Sequence, residues 1–275
     1  MKYVVNGETT SEVVFKNSLI QEPTLELEEG YEVLGWYTDS NYTQAVTFPF
    51  RSQGETLYAD TVQTNLTSSW IGWDSSTQTY YVQQGDASEL SDTAKIIVPD
   101  RYNDGTNGIH NVTYIADGTS ETTSVFYPIK STLTTITLPS TTTKIGSYAF
   151  MSCSGLTSLN LSGCTSLTSI YPHAFRYTGL KKITLPSSLI TIDDYAFYSC
   201  RSLTSITIPE DVTKIGKYAF SSCTALTSAT FGDTSTWYYT SDSSYNGGTR
   251  ITLSKVATNA TYLKSTYTSY YWYRK

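Results

Sequence analysis

Charged side chains are scarce in this sequence. Asp, Glu, Lys and Arg make up 15% of its 275 residues, against about 25% in an average soluble protein. The balance is acidic, with a formal net charge of −6, so the chain offers no basic surface for nucleic acid or an anionic membrane. No apolar run approaches the ~20 residues that a membrane-spanning helix needs. These absences argue against a nucleic-acid partner and against direct membrane insertion.

The groups on which enzymes depend are also rare. The chain has two histidines, and it contains no glycine-rich phosphate loop, no His-Glu metal motif and no Gly-x-Ser-x-Gly sequence. Asp193 and Asp194 are adjacent, but neighbouring side chains in an extended turn point apart, so they do not form a catalytic carboxylate pair. We predict a non-enzymatic protein with no catalytic residue, no metal site and no cofactor.

What the chain does contain is an internal repeat. Ala-Phe pairs recur at 149–150, 174–175, 196–197 and 219–220. The leucines that follow them are separated by 24, 23 and 23 residues, because they stand at Leu156, Leu180, Leu203 and Leu226. A period in the twenties is typical of a solenoid, in which each rung buries its apolar face against the next rung.

The sequence of one rung predicts two short strands, a tight turn and one or two helical turns. Leu203, Ile206 and Ile208 alternate with polar residues in a first strand that Pro209 ends. A second extended piece follows at 212–215. We expect a tight turn after it, then one or two helical turns over 218–223 with Phe220 pointing inward.

This pattern resembles the BspA-like leucine-rich repeat family, whose units read Ile-x-Ile-Pro-x-x-Val-x-x-Ile-Gly-x-x-Ala-Phe-x-x-Cys-x-x-Leu. The unit at 203–226 is nearly complete, and those at 180–203 and 133–156 are clear. The unit from Leu156 departs from the pattern, with two residues added before Ile170 and one lost after Phe175. The resemblance implies a stacked solenoid.

The four cysteines, Cys153, Cys164, Cys200 and Cys223, are each separated by two residues from a following Leu-Thr-Ser triplet. We interpret them as small buried residues of the repeat. Thiols on successive rungs line up along the stack, so they do not converge on one zinc ion. A disulfide between Cys200 and Cys223 is the alternative, and we predict four free thiols.

The N-terminal section lacks this repeat. It reads as short strands, among them Glu12–Phe15, before the sequence Gly-Tyr-Glu-Val-Leu-Gly-Trp-Tyr at 30–37 and Thr-Leu-Tyr-Ala at 56–59. These two motifs resemble the internalin-type B repeat, a small β-grasp-like module of bacterial surface proteins, although Val33 replaces the usual Phe. We predict Trp36 and Tyr58 as core anchors.

The resulting fold class is mainly β with short helices: a leucine-rich-repeat solenoid of about 23-residue repeats behind a small β-grasp-like module. The expected boundaries are 1–62 for the module, 63–69 for a linker and 70–275 for the solenoid. Within the solenoid we expect an N-terminal cap and degenerate repeat at 70–132, regular repeats at 133–228 and a C-terminal cap at 229–275, because open solenoid ends expose strand edges.

Two surfaces are candidates for binding. The first is the strand face, formed by the outward residues of successive strands: Thr135, Thr137, Ser158, Asn160, Lys182, Thr184, Ser205 and Thr207. Plain solvated strand positions are the alternative interpretation. The second is the aromatic surface of the C-terminal cap, with Trp237, Tyr239, Tyr270 and Trp272; these rings either cover the apolar end or stack on sugars. Tyr271 and Tyr273 cannot share a face with Trp272.

The two resemblances imply an extracellular or cell-surface protein that mediates adhesion to host proteins or to other cells. Its expected partner is a protein on the host or on a neighbouring cell. A carbohydrate-binding module that uses the cap aromatics and a passive surface spacer are the alternatives. The first residues are not typical of a signal peptide, because Asn6-Gly7 interrupts the apolar stretch. If the natural protein is exported, we expect this chain to be its mature or trimmed form with an added Met1.

Overall fold

The computed structural model describes residues 2–5, 8–11, 19–23, 25, 27, 31–38, 40, 44–51, 56–90, 94–243, 247–253 and 255–275. The chain divides into two compact units: 1–65 with 101–110, and 66–100 with 111–275. The second unit starts inside the predicted linker, where Leu66 is buried, and 101–110, predicted as a loop of the first rung, is grouped with the first unit. In the described part of the chain, no helix is long and apolar enough to cross a membrane.

The first unit is built on a mixed sheet in the order β2-β1-β7-β4-β5. Its strands are β1 (Lys2–Val5), β2 (Glu8–Ser11), β3 (Leu19–Ile20), β4 (Tyr31–Tyr37), β5 (Ala45–Val46), β6 (Phe50–Arg51) and β7 (Thr56–Gln63). Strand β7 runs parallel to β1 and antiparallel to β4, and β3 pairs with β6. The strand predicted at Glu12–Phe15 lies outside the described residues, and the β-grasp likeness stays a prediction.

Trp36 anchors the core of this unit, as predicted. Its buried ring meets the edges of Tyr3 and Phe48, at centroid distances of 5.8 and 6.2 Å. The prediction for Tyr58 is wrong: Leu57 and its second neighbour Ala59 are buried, whereas Tyr58 is only half-buried. Successive side chains of a strand point to opposite faces, so the chain cannot place all three in one core.

The second unit begins with a hairpin and an irregular first rung. The strands are β8 (Ile71–Asp74), β9 (Thr79–Val82), β10 (Lys95–Ile97), β11 (Arg101–Asn103, in the segment grouped with the first unit) and β12 (Ile109–Ile115). Single 3-10 turns occur at Ser68–Trp70, Ala87–Glu89 and Tyr127–Ile129. Strand β10 pairs in parallel with β13 of the next rung and β12 with β14, so this segment is the degenerate first rung that the sequence predicts.

Nine short strands form the regular rungs: β13 (Thr135–Thr137), β14 (Lys144–Ile145), β15 (Ser158–Asn160), β16 (Ser169–Ile170), β17 (Lys182–Thr184), β18 (Thr191–Ile192), β19 (Ser205–Ile208), β20 (Lys214–Ile215) and β21 (Ser228–Phe231). The even-numbered strands join one continuous parallel sheet. The odd-numbered strands line the opposite side, with parallel pairs β10–β13, β15–β17 and β19–β21. Each rung therefore repeats the register of the last.

The predicted helical turns are absent from these described rungs, and the expectation was wrong for a reason of backbone geometry. Tyr148, His173, Tyr195 and Tyr218 have φ between 57° and 62°, which an α-helix does not accommodate. Alternate backbone N–H groups instead donate to the next rung: Phe175 N–H donates to the Ala196 carbonyl at 2.8 Å, whereas the N–H groups on either side of it donate within the turn. Equivalent bonds at other rungs make this turn a third inter-rung ladder, which satisfies the donors that a helix would use internally.

A stack of phenylalanine rings fills the core beside this ladder. Phe126, Phe150, Phe175, Phe197 and Phe220 are fully buried, with successive centroids 4.7, 5.2, 5.2 and 5.1 Å apart. The four cysteines are also free and buried, as predicted. The Cys200 thiol donates to the carbonyl of Phe175 and the Cys223 thiol to that of Phe197, each at 3.1 Å.

The C-terminal segment contains β22 (Trp237–Thr240), β23 (Thr249–Ile251), helix α1 (Val256–Thr261), a π-helical turn (Tyr262–Thr266) and β24 (Tyr271–Arg274). Strand β24 pairs antiparallel with β20 and so covers the last parallel strand of the sheet. On the other side α1 packs against β21, where the Asn259 side-chain amide donates to the Ala229 carbonyl at 3.3 Å. Both arrays of strands thus end against this segment.

Candidate interaction surfaces

The strand face is exposed along its whole predicted length. Its eight residues are solvent-accessible, while the residues between them, Ile136, Leu159, Ile183 and Ile206, are buried. The parallel register of β15 and β17 sets Ser158 beside Lys182 and Asn160 beside Thr184. Period-two alternation in a half-buried strand is what allowed the sequence to identify these positions.

Four of the eight residues gather at one groove of roughly 480 Å³. Its walls contain Lys182, Thr184, Ser205 and Thr207, together with Ile183, Leu185, Ser187, Pro209, Glu210 and Asp211. The other four predicted residues lie on earlier rungs, outside this groove. Glu210 and Asp211 were not among the predicted residues, although the sequence signals them: Glu-Asp follows Pro209 where Ser-Ser follows Pro186.

The groove is charged with opposite sign at its two ends. Lys182 begins β17, whereas Glu210 and Asp211 follow β19 beyond Pro209. In the described part of the chain none of these three side chains forms an ion pair. A partner can therefore pair with them without breaking an existing salt bridge.

The prediction of an aromatic surface on the C-terminal cap is wrong for two of its four residues. Trp237 and Trp272 are buried, with indole N–H groups that donate to the carbonyls of Asp233 and Tyr267 at 3.0 and 3.2 Å. Both rings pack at the apolar end of the stack against the buried ring of Phe231, at centroid distances of 5.3 and 6.1 Å. Tyr239 and Tyr270 are half-buried, so a sugar-stacking role would depend on those two rings.

The turns carry a cluster of aromatic and cationic side chains that was not predicted as a site. We define the turn-face cluster as His173, Arg176, Tyr177, Tyr195 and Tyr198. The His173 ring stacks between Tyr148 and Tyr195, with centroids 4.6 and 4.9 Å away. Burial, and secondly the charge of Arg176, lower the pKa of His173 below its usual value, which favours the neutral ring.

Asp193 and Asp194 have separate structural partners. Asp193 lies 3.6 Å from the Lys214 ammonium group, and burial raises the pKa of its carboxyl above the usual value. Asp194 accepts a hydrogen bond from the backbone N–H of Lys217 at 2.9 Å. Each carboxylate thus contacts the next rung. In the residues that the structure describes, no three His, Cys, Asp or Glu side chains are grouped to bind a metal ion.

Stacked rungs with one parallel strand array on each side define the second unit as a leucine-rich repeat solenoid. Comparison with known families agrees: residues 119–251 match the BspA type leucine rich repeat region in six copies, and residues 1–60 match the Listeria-Bacteroides repeat domain. The chain thus combines a BspA-type leucine-rich repeat region with a Listeria-Bacteroides repeat domain, and both resemblances seen in the sequence are confirmed. No curated protein is a significant match.

Several solved structures are similar. A leucine-rich repeat protein from Bacteroides ovatus is 27% identical, with 62% of this chain and 39% of that chain covered and a TM-score of 0.47. A leucine rich cell surface protein from Faecalibacterium prausnitzii is 22% identical, with 70% and 62% covered and a TM-score of 0.34. The leucine rich repeat protein of T. pallidum is 23% identical, with 60% and 70% covered and a TM-score of 0.40. The chain spans less than two thirds of the first two proteins.

Proposed function

We propose that this chain is a non-enzymatic interaction module that acts outside the cell and binds a protein partner through the groove of its strand face. The observation that carries the proposal is the groove itself, in which unpaired charges of both signs flank a row of hydroxyl groups. The repeat family supports the choice of a protein as partner, and adhesion to a host protein or to another cell is the role that we assign.

The chemistry of the groove favours binding over catalysis. Hydroxyl groups and one ammonium group donate hydrogen bonds, and two carboxylates accept them, so an extended peptide can pair with the walls. Among the described residues that line it, the groove contains no histidine or cysteine, two of the side chains that most often act as a general base or a nucleophile. Electrostatic complementarity of this kind sets specificity and association rate.

The test is binding of the full chain to a panel of host extracellular-matrix and surface proteins by biolayer interferometry. A groove variant, Lys182→Glu with Thr184→Glu and Thr207→Glu, is compared with a control variant, Arg201→Glu with Ser202→Glu and Thr224→Glu. The control introduces the same change in net charge at exposed residues outside the groove. Both must keep the circular dichroism spectrum of the unmodified chain.

We expect a panel protein to bind the unmodified chain and the control but to lose at least about tenfold in affinity for the groove variant, since charge-assisted hydrogen bonds contribute ~1.5 to 3 kcal/mol each. If the groove variant and the control variant bind with equal affinity, the partner does not bind in the groove. If no panel protein binds, the result supports the interpretation of the chain as a passive surface spacer. Binding to a glycan array that depends on Tyr239 would support the interpretation as a carbohydrate-binding module.

A further inference from the structure

Two residues of one rung differ from their equivalents in the neighbouring rungs. Arg176 and Tyr177 follow the inward Phe175. After the inward phenylalanine the other three rungs have Met151-Ser152, Tyr198-Ser199 and Ser221-Ser222. The second position of each pair is therefore serine in three rungs and tyrosine in one, which gives an internal comparison for what the fold requires.

Tyr177 is an unfavourable choice for its backbone. Its φ is 61°, in the left-handed region, and the three serines have the same conformation, with φ of 61°, 58° and 62°. A bulky residue with positive φ is uncommon because its side chain crowds the backbone. The side chain gains little burial in return, since Tyr177 is 39% exposed. A small residue serves the stack equally well.

Arg176 is held in one orientation by its neighbours. Its guanidinium carbon lies 4.7 Å from the ring centre of Tyr177, 4.9 Å from that of Tyr198 and 5.7 Å from that of Tyr195. One terminal nitrogen lies 3.2 Å from His173 Nδ1, and the other donates to the Tyr177 hydroxyl at 2.9 Å. Since neutral His173 accepts that bond, the cluster fixes the charge without neutralising it.

No carboxylate in the described part of the chain pairs with this guanidinium group. Glu121 is bound to Lys130 at 3.0 Å, and this bond, with a smaller long-range contribution from the charge of Arg176, lowers the pKa of its carboxyl. The Nε atom of Arg176 is buried and has no hydrogen-bond partner, which costs free energy. A cation is thus retained at a stability cost, and each of its two terminal nitrogens keeps a second N–H that the bonds to His173 and Tyr177 do not use.

We propose that Arg176 and Tyr177, framed by Tyr195 and Tyr198, form a second docking site, separate from the strand face, for an acidic peptide segment of a protein partner. A carboxylate of the segment pairs with the guanidinium group of Arg176, and an adjacent apolar side chain packs on the exposed part of Tyr177. Tyrosine and arginine are the residue types that dominate binding energy at protein interfaces, and a preorganised arginine loses little side-chain entropy on binding.

A sugar fits this surface less well. The rings of Tyr148, His173, Tyr195 and Tyr218 stack on one another along the solenoid axis, so the inner rings use their flat faces internally. Arg176 covers one face of Tyr177. The cluster therefore presents ring edges, hydroxyl groups and one cation, a combination that suits a carboxylate beside an apolar side chain.

The variant for this experiment takes its two replacement residues from the neighbouring rung. Random dodecapeptides displayed on phage are selected on the full chain and on a double variant, Arg176→Met with Tyr177→Ser, which copies residues 151–152. Peptides enriched on the unmodified chain are synthesised, and their affinities for both chains are measured by calorimetry. The groove variant with Glu at 182, 184 and 207 is the control for a separate site.

We expect Asp and Glu to be enriched among peptides selected on the unmodified chain, and we expect the double variant to bind such a peptide at least about tenfold more weakly. Replacement of the peptide's acidic residue by its amide should weaken binding to a similar extent, and the groove variant should bind as the unmodified chain does. The double variant should unfold at the same or a higher urea concentration.

The absence of acidic enrichment, or equal affinity for both chains, would overturn the proposal. So would a double variant that unfolds at clearly lower urea concentration, because Arg176 and Tyr177 would then serve packing. If sialylated glycans on an array bind the unmodified chain and not the double variant, while no peptide does, the site belongs to an anionic glycan and the peptide assignment is wrong.

Discussion

Replacement of Phe175 by alanine tests the phenylalanine stack most directly. The ring is fully buried and lies 5.2 Å from both Phe150 and Phe197. Truncation of a core phenylalanine to alanine costs about 3 to 5 kcal/mol, and each aromatic pair that is lost contributes about 0.5 to 1.5 kcal/mol beyond burial. Because Phe175 has a ring on each side, we expect the free energy of unfolding to fall by about 5 kcal/mol, the upper end of the range for phenylalanine truncation.

The assay is equilibrium unfolding of the full chain in urea, followed by far-ultraviolet circular dichroism. Phe175→Leu is the matched variant, because leucine keeps most of the apolar volume but removes both ring contacts. We expect it to lose about 1 to 3 kcal/mol, the two stacking contributions alone. The rungs stabilise one another through their interfaces, so the alanine variant should shift the transition of the whole solenoid.

A loss below about 2 kcal/mol for Phe175→Ala would refute the argument, because the structure would then tolerate a gap in the middle of the stack. Equal losses for alanine and leucine would show that ring stacking, and not volume, carries the contribution of Phe175. If the loss in free energy of unfolding depends only on the side-chain volume removed, ring stacking contributes nothing measurable at Phe175.

Three further predictions concern other parts of the chain. Trp36→Ala should unfold the first unit alone, seen as a separate early transition in calorimetry, since a core tryptophan contributes about 3 to 5 kcal/mol; one shared transition would contradict this. All four thiols are free and buried, and burial raises the pKa of the Cys153 thiol to about 12. Because the reagent cannot reach a buried thiol, we expect the four to resist Ellman's reagent at pH 8 and all four to react in guanidinium chloride. Gly216→Ala should cost about 1 to 3 kcal/mol, because its Cβ would lie 2.4 Å from the backbone nitrogen of Asp194, whereas Gly163→Ala, with nothing within 4 Å, should leave the urea midpoint unchanged or raise it.

Most of the fold could be predicted from the period of the sequence repeat. Spacing of Leu156, Leu180, Leu203 and Leu226 predicted the solenoid, and alternation within each strand predicted both the buried isoleucines and the exposed strand face. These features depend on local periodicity, which a single sequence records. The burial of three cysteines followed from the same regularity, because Cys153, Cys200 and Cys223 each stand three positions before a leucine of the repeat.

Other features depended on contacts between residues far apart in the chain. Trp272 is buried because β24 lies against β20, and the sequence of the last strand alone gives no preference for which of its faces meets the solenoid. The turn conformation escaped prediction because the positive φ of Tyr148 is stabilised by a hydrogen bond to the next rung, at Pro172, and not by local propensity.

The candidate sites divide in the same way. Sequence periodicity by itself determined that Lys182, Thr184, Ser205 and Thr207 point outward, since a strand with one buried face admits only one register. Only the tertiary structure decided that Glu210 and Asp211 close the same groove and that Arg176 lies among tyrosines of its own and the next rung. Stacking brings together residues about 23 positions apart, and the chemistry of such a neighbourhood depends on pairs of side chains that no single repeat contains.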